Sequence, residues 1–162
     1  MKKIVWVFVL FAQILFAQPG DLAVNLQPIS PSDINWEMTL IMNAPAGTQS
    51  GFLIEIPPTI KMVPLSVRIN QADLWLQNAA QVSASDSVVS WVFMPDGVSF
   101  LFKEGQLTIG DQVVIKAMIS KFRKGEGSES VLKIRSLQNI ESDSQISNEV
   151  ITSTDISSML SQ

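Results

Sequence analysis

Hydrophobic and polar positions alternate through most of this chain with a period of two. Trp36, Met38, Leu40 and Met42 fall on one side of a run whose other side carries Glu37 and Thr39, the pattern of a strand with one buried and one wetted face. Leu22, Val24 and Leu26 repeat it across Leu22–Pro28. Further strand-like runs occupy residues 51–56, Ile60–Ile69, 73–77, Val88–Met94, 98–102, 112–122, 131–140 and 149–152. Gly, Pro, Ser and Asn clusters separate them at intervals of about ten residues. No stretch beyond the first residues carries a helical period. The pattern therefore predicts an all-β domain of about eight or nine short strands, an antiparallel sandwich in preference to a barrel.

Two places specify local structure more closely. Val88–Met94 and residues 98–102 flank Pro95-Asp96-Gly97. Proline presets φ near −65°, Asp hydrogen-bonds the backbone ahead of it, and Gly accepts a positive φ, so a tight hairpin is expected. Pro64 lies inside Ile60–Ile69 and cannot donate to a ladder, which makes this segment an edge strand, a bulge, or two short strands meeting at a kink. Gly110-Asp111 and residues 123–128 read as plain turns.

The N-terminus changes the domain picture. Lys2 and Lys3 precede an apolar stretch, residues 4–16, which ends in Ala17 before Gln18-Pro19. That is the layout of a secretory signal peptide cut after Ala17, and the stretch is shorter than the ~20 residues of a spanning helix. The expected organisation is a signal peptide over residues 1–17, a β-sandwich domain over 18–152 and a disordered tail over 153–162. Cleavage removes two lysines and takes the formal charge from −4 to about −6. An acidic chain with scattered cations is a poor match for nucleic acid or an anionic membrane surface. The absence of cysteine suits an exported bacterial protein, secreted, periplasmic or held at the cell surface, that folds without oxidation.

Missing residue types narrow the chemistry further. With no His, Cys or Tyr among the 162 residues, a Ser-His-Asp triad, a thiol nucleophile and a zinc site of the usual kind are all ruled out. A carboxylate pair or a Ser-Lys dyad remains, but the acids are spread over turns and wet strand faces, where carboxylates simply solvate. No enzyme activity and no cofactor are expected. Glu141-Ser-Asp143-Ser is the densest group of oxygen ligands, and it is too sparse for a calcium loop.

Three tryptophans of the mature chain raise a sugar-stacking reading. Trp36 and Trp91 sit inside apolar runs and are expected in the core. Trp75, flanked by Asp73, Gln77 and Asn78, is the candidate ligand contact, although core packing is the first expectation there too. Lys116, Lys133 and Arg135, with Lys121, Arg123 and Lys124 nearby in sequence, form a candidate basic interaction strip on the outward face of a last hairpin; a solvated face is the plain alternative. Asp21–Gln27 is so close to the mature terminus that it is also a candidate for completing the sheet of a neighbouring copy.

Residues 52–58 and 64–69, then 88–102, then Leu107-Thr-Ile-Gly-Asp-Gln-Val-Val-Ile115, resemble Ig-like modules of bacterial surface proteins. The same order of features is similar to cohesin-type sandwiches, which bind a dockerin partner. The resemblance implies an Ig-like β-sandwich and no catalytic residue. The expected role is a structural or protein-interaction module, self-assembling or bound to a protein partner, with a carbohydrate-binding or cohesin-like ligand-binding module as the alternative.

Overall fold

The alternating runs become ten β-strands, and no helix occurs among the described residues. The computed structural model describes residues 22–29, 35–44, 51–58, 60–121, 131–138 and 145–156. The leader over 1–17, the turn over 123–128, the Glu141 and Asp143 pair and residues 157–162 lie outside them. The strands are β1 (Leu22–Pro28), β2 (Asn35–Asn43), β3 (Gly51–Glu55), β4 (Ile60–Ile69), β5 (Ala72–Asn78), β6 (Val88–Met94), β7 (Gly97–Leu101), β8 (Gln112–Lys121), β9 (Val131–Gln138) and β10 (Gln145–Asp155).

They form one mixed sheet in the order β1-β2-β8-β4-β5-β6-β7-β3-β9-β10. The sheet curls until its two outermost strands, β1 and β10, approach each other, so it is nearly barrel-shaped. One half runs from β1 to β5 and the other from β6 to β10. Among the described residues, the strand pairing that joins them is the four-residue parallel ladder of Trp75 to Asn78 with Val88 to Trp91.

The inward positions of both halves build one core. Met38, Leu40 and Met42 of β2 and Val113, Ile115 and Ala117 of β8 are fully buried on one side; Phe52 and Ile54 of β3, Phe100 of β7 and Ile134 of β9 are fully buried on the other. Phe52 anchors an aromatic cluster, its ring centroid 5.3 Å from that of Phe100 and 5.4 Å from that of Phe102. Each such side chain stabilises the fold by about 1.5–3 kcal/mol on burial. The core alone accounts for the alternation in β2 and β8.

Several expectations are corrected. The sheet is mixed and not wholly antiparallel, because β5 and β6 pair in parallel. β8 and β9 do not form a hairpin: β8 pairs with β2 and β4, while β9 pairs with β3 and β10. Of the three readings of Pro64, the structure adopts the bulge. The register of β4 on β8 shifts between Pro64 and Ser66, which lets an interior strand carry a residue without an N–H. The β6–β7 hairpin forms around Pro95 and Asp96, but Gly97 is needed for a different reason than φ. It is not among the residues of positive φ; a Cβ there would lie 1.9 Å from the Ile54 carbonyl oxygen, so the close approach of β3 demands glycine. Order also continues past Thr152, with β10 running to Asp155 and Ile156 fully buried. β1, the candidate donor strand, pairs with its own β2 from Leu22↔Met42 to Pro28↔Trp36.

Candidate functional site

Period-two alternation places Trp75 on the outside. Leu74 and Leu76 of β5 pack against the core, so the residue between them points the other way, and Trp75 is 77% exposed. Its backbone N–H is anchored by the Ser87 carbonyl at 2.8 Å. Core packing, the first expectation for this tryptophan, is therefore corrected. Trp36 and Trp91 are half-buried and pack against the core as expected.

The bulge supplies the second apolar element of this face. Leu65 is the extra residue between Pro64 and Ser66 and is 55% exposed. Continuing the antiparallel register Val67↔Leu74 by one residue brings Trp75 level with Ser66. Ser66 in turn pairs with Lys116, and Lys116 with Thr39. A transverse row thus crosses the outer face of the first half: Thr39, Lys116, Ser66, Trp75. Two strand spacings, roughly 10 Å, separate Lys116 from Trp75. Arg68, one outward position along β4, holds Asp73 at 2.8 Å.

The candidate basic strip is not brought together. Lys116 lies on β8 in the first half, 3.7 Å from Glu37. Lys133 and Arg135 lie on β9 in the second half, where both bond Glu55 of β3, at 3.6 Å and 2.6 Å. The Arg135 hydrogen bond is the largest influence on Glu55; it outweighs the cost of burial and, with the charges of Arg135 and Lys133, holds the carboxyl below its ordinary range. This group is an internal ion cluster between neighbouring strands. Lys116 instead falls in the same transverse row as Trp75, a placement that sequence order concealed because the two come from strands separated by β4 in space.

Acids do meet at one end of the sheet, around a depression of about 500 Å³ lined by Asp86, Glu104 and Asp111 among others. Two of the three are already engaged. Lys103 Nζ donates to Asp86 Oδ1 at 2.6 Å. Asn70 Nδ2 donates to Asp111 Oδ1 at 2.9 Å, and the Thr108 N–H and Oγ1 donate to Oδ2 at 2.8 and 2.7 Å. Burial pushes the Asp111 carboxyl up, but these hydrogen bonds together outweigh it and hold the group below its ordinary range. Asp111 is a structural latch, tying the β4–β5 turn to the start of β8. Among the described residues, no group of three or more acids is placed to hold a metal ion.

Sequence reasoning missed Leu65 and Arg68. Pro64 was the available signal for Leu65: a proline inside an interior strand implies a bulge, and a bulge turns an extra side chain outward. Comparison of the chain with models of protein families and with characterised proteins, and of its fold with solved structures, finds no match.

Proposed function

We propose that this chain is an exported, non-catalytic bacterial module with an Ig-like β-sandwich design, working as a structural or protein-interaction component at the cell surface or in the extracellular matrix. One observation carries the reading: an indole and an isobutyl group, Trp75 and Leu65, stand exposed on a sheet face amid Ser66, Arg68 and Lys116. Tryptophan and arginine are the residues that dominate protein contacts, and a large aromatic left in water on a well-formed strand contributes little to its own fold. The leader supports export and the missing His and Cys support a non-catalytic role.

The same tryptophan favours a second reading, a carbohydrate-binding or cohesin-like ligand-binding module, since an exposed indole is a stacking platform for a sugar ring. A photo-crosslinking side chain at position 75 separates a protein partner from a glycan in the full chain. Protein adducts formed on the surface of the producing cell support a protein partner, by the first reading or a cohesin-like one, and glycan adducts support the carbohydrate-binding reading. Neither kind of adduct, with Trp75→Ala unchanged in attachment to cells and to a polysaccharide panel, would remove this face as the working site.

A further inference from the structure

The two poles of the sheet differ in shape. At the pole where β3, β6 and β8 end and β4 begins, a cleft of about 350 Å³ opens between the halves, lined by Pro57, Pro58, Met62 and Phe93, with Lys61 and Asp96 among the polar residues around it. Phe93 is 47% exposed there, its ring held edge-on to Trp91 at 5.0 Å and 89°. At the opposite pole the turn before β8 carries Ile109, 54% exposed. β8 has 10 residues, so the poles stand roughly 30 Å apart.

The Ile109 turn is rigid. Asp111 accepts from the Thr108 N–H and hydroxyl, its own N–H reaches the Thr108 carbonyl at 3.1 Å, and Asn70 bonds its other oxygen. The Gly110 N–H bonds the Ala44 carbonyl at 2.7 Å, at a φ of 88° that glycine permits. A single exposed isoleucine is ordinary. Here it is fixed by polar bonds on both sides, on the same chain as an apolar cleft of more than sufficient size at the other end. Charge matches as well. Glu104, which lines the same depression as Asp111, and Lys61, at the cleft, make no ion pair among the described residues. Of the other charges at these ends, Asp86 and Lys103 pair with each other, Asp111 is taken up by Asn70 and Thr108, and Asp96 lies at the cleft, so the match rests on Lys61 and Glu104.

We infer that a second copy of this chain docks head to tail, Ile109 of one copy entering the cleft of the next while Glu104 meets Lys61. Knob and cleft are different patches, so the contact is heterologous and extends into open rows unless the rotation closes a ring. The inference deepens the interaction-module reading by naming the partner, and it uses the poles, not the Trp75 face.

The test is sedimentation velocity of the full chain over a concentration series, with near-UV circular dichroism as a check on folding. Wild type grows with concentration. Ile109→Asp and Phe93→Asp each weaken association by more than about tenfold, the effect of losing one buried side chain. Mixed together, they form a 1:1 dimer that grows no further, because one intact knob and one intact cleft remain. Lys61→Glu and Glu104→Lys each weaken association, and the double variant restores it. A monomer at every concentration overturns the inference, as does growth that survives Ile109→Asp or a mixture that fails to pair. Loss of growth in Trp75→Ala alone also overturns it, assigning assembly to the sheet face. Failure at the poles with crosslinking intact at position 75 leaves the interaction-module reading standing.

Discussion

The outer faces of the two half-sheets are built to opposite rules. On the second half, Leu53 of β3, Leu101 of β7 and Leu137 of β9 point away from the main core and are nonetheless buried, with Met94 packed against them. On the first half, Ile41, Leu65 and Trp75 point outward and stay exposed amid Lys116 and Arg68. The sequence carries this difference as a change of period. β3 reads GFLIE and β7 reads GVSFL, near-continuous apolar runs of the kind buried on both faces. β5 reads ADLWLQN, where alternation is kept but the aromatic sits in phase with Asp73 and Gln77. An outward side chain that is buried serves stability. One left exposed, in phase with charges, is available for contact.

The sharpest way to break this contrast is to truncate the same residue type on each face. Leu53→Ala deletes a side chain that is 2% exposed and should destabilise by about 2–5 kcal/mol. At a melting shift of roughly 2–4 °C per kcal/mol, that loss is plain in a thermal melt. Leu65→Ala, on the bulge, should stay within about 0.5 kcal/mol of wild type. Equal losses at both positions would mean that the faces are energetically alike.

Ion pairs sharpen the comparison on a smaller scale. Glu55, flanked by Arg135 and Lys133, lies in a partly buried cluster, whereas Lys116 and Glu37 are each about half exposed at 3.7 Å. Glu55→Gln should cost about 1–2 kcal/mol at neutral pH, and Lys116→Gln no more than about 0.5 kcal/mol. The pH dependence has a defined sign. Arg135, by its hydrogen bond first and its charge second, holds the folded Glu55 carboxyl below the 4.5 of the free group. Its contribution is therefore fully present above 4.5 and is lost as pH falls through the lowered folded value. The gap between wild type and Glu55→Gln in denaturant titrations should be constant from pH 7 down to about 5 and close below that. Asp111, held down by Asn70 and Thr108 against the effect of burial, contributes with the same sign. A gap that widens on acidification would contradict the pairing.

A buried hydroxyl on the second face gives a smaller effect of opposite direction. Ser90 Oγ is fully buried, with no hydrogen-bond partner. Ser90→Ala removes an unsatisfied group and should be neutral or stabilising by up to about 1 kcal/mol, read as a rise in denaturant midpoint at constant slope. A clear loss would show that the hydroxyl is satisfied in solution.

Much of the sheet was legible because period-two alternation specifies faces locally. The runs at 36–42, 88–94 and 98–102 became β2, β6 and β7, and Met38, Leu40 and Met42, read as one face of the first run, are buried together. Pairing across the sheet was not legible, since it depends on residues distant in sequence. Nothing in Lys116 or Lys133 reveals that β8 pairs with β2 and β4 while β9 pairs with β3. A false hairpin between two consecutive strands was the local guess, and it placed three cations in one strip. Trp75 failed differently: aromatic type argued for burial, phase argued for exposure, and phase decided. Gly97 shows a third limit, where the residue was read correctly as necessary but its cause, the carbonyl of Ile54, lay on another strand.

The smallest expected effect bears most directly on function. Trp75→Ala should leave the chemical-denaturation midpoint within the change typical of a surface substitution, about 0.5 kcal/mol, because the indole is 77% exposed and its backbone bond to Ser87 survives. The same substitution should abolish most of the iodide-accessible tryptophan fluorescence, since Trp36 and Trp91 pack against the core. It should also remove whatever the face binds. A stability loss of several kcal/mol would instead make the indole a packing element like Leu53. The contrast between the faces would then fail at the residue where it carries the functional reading.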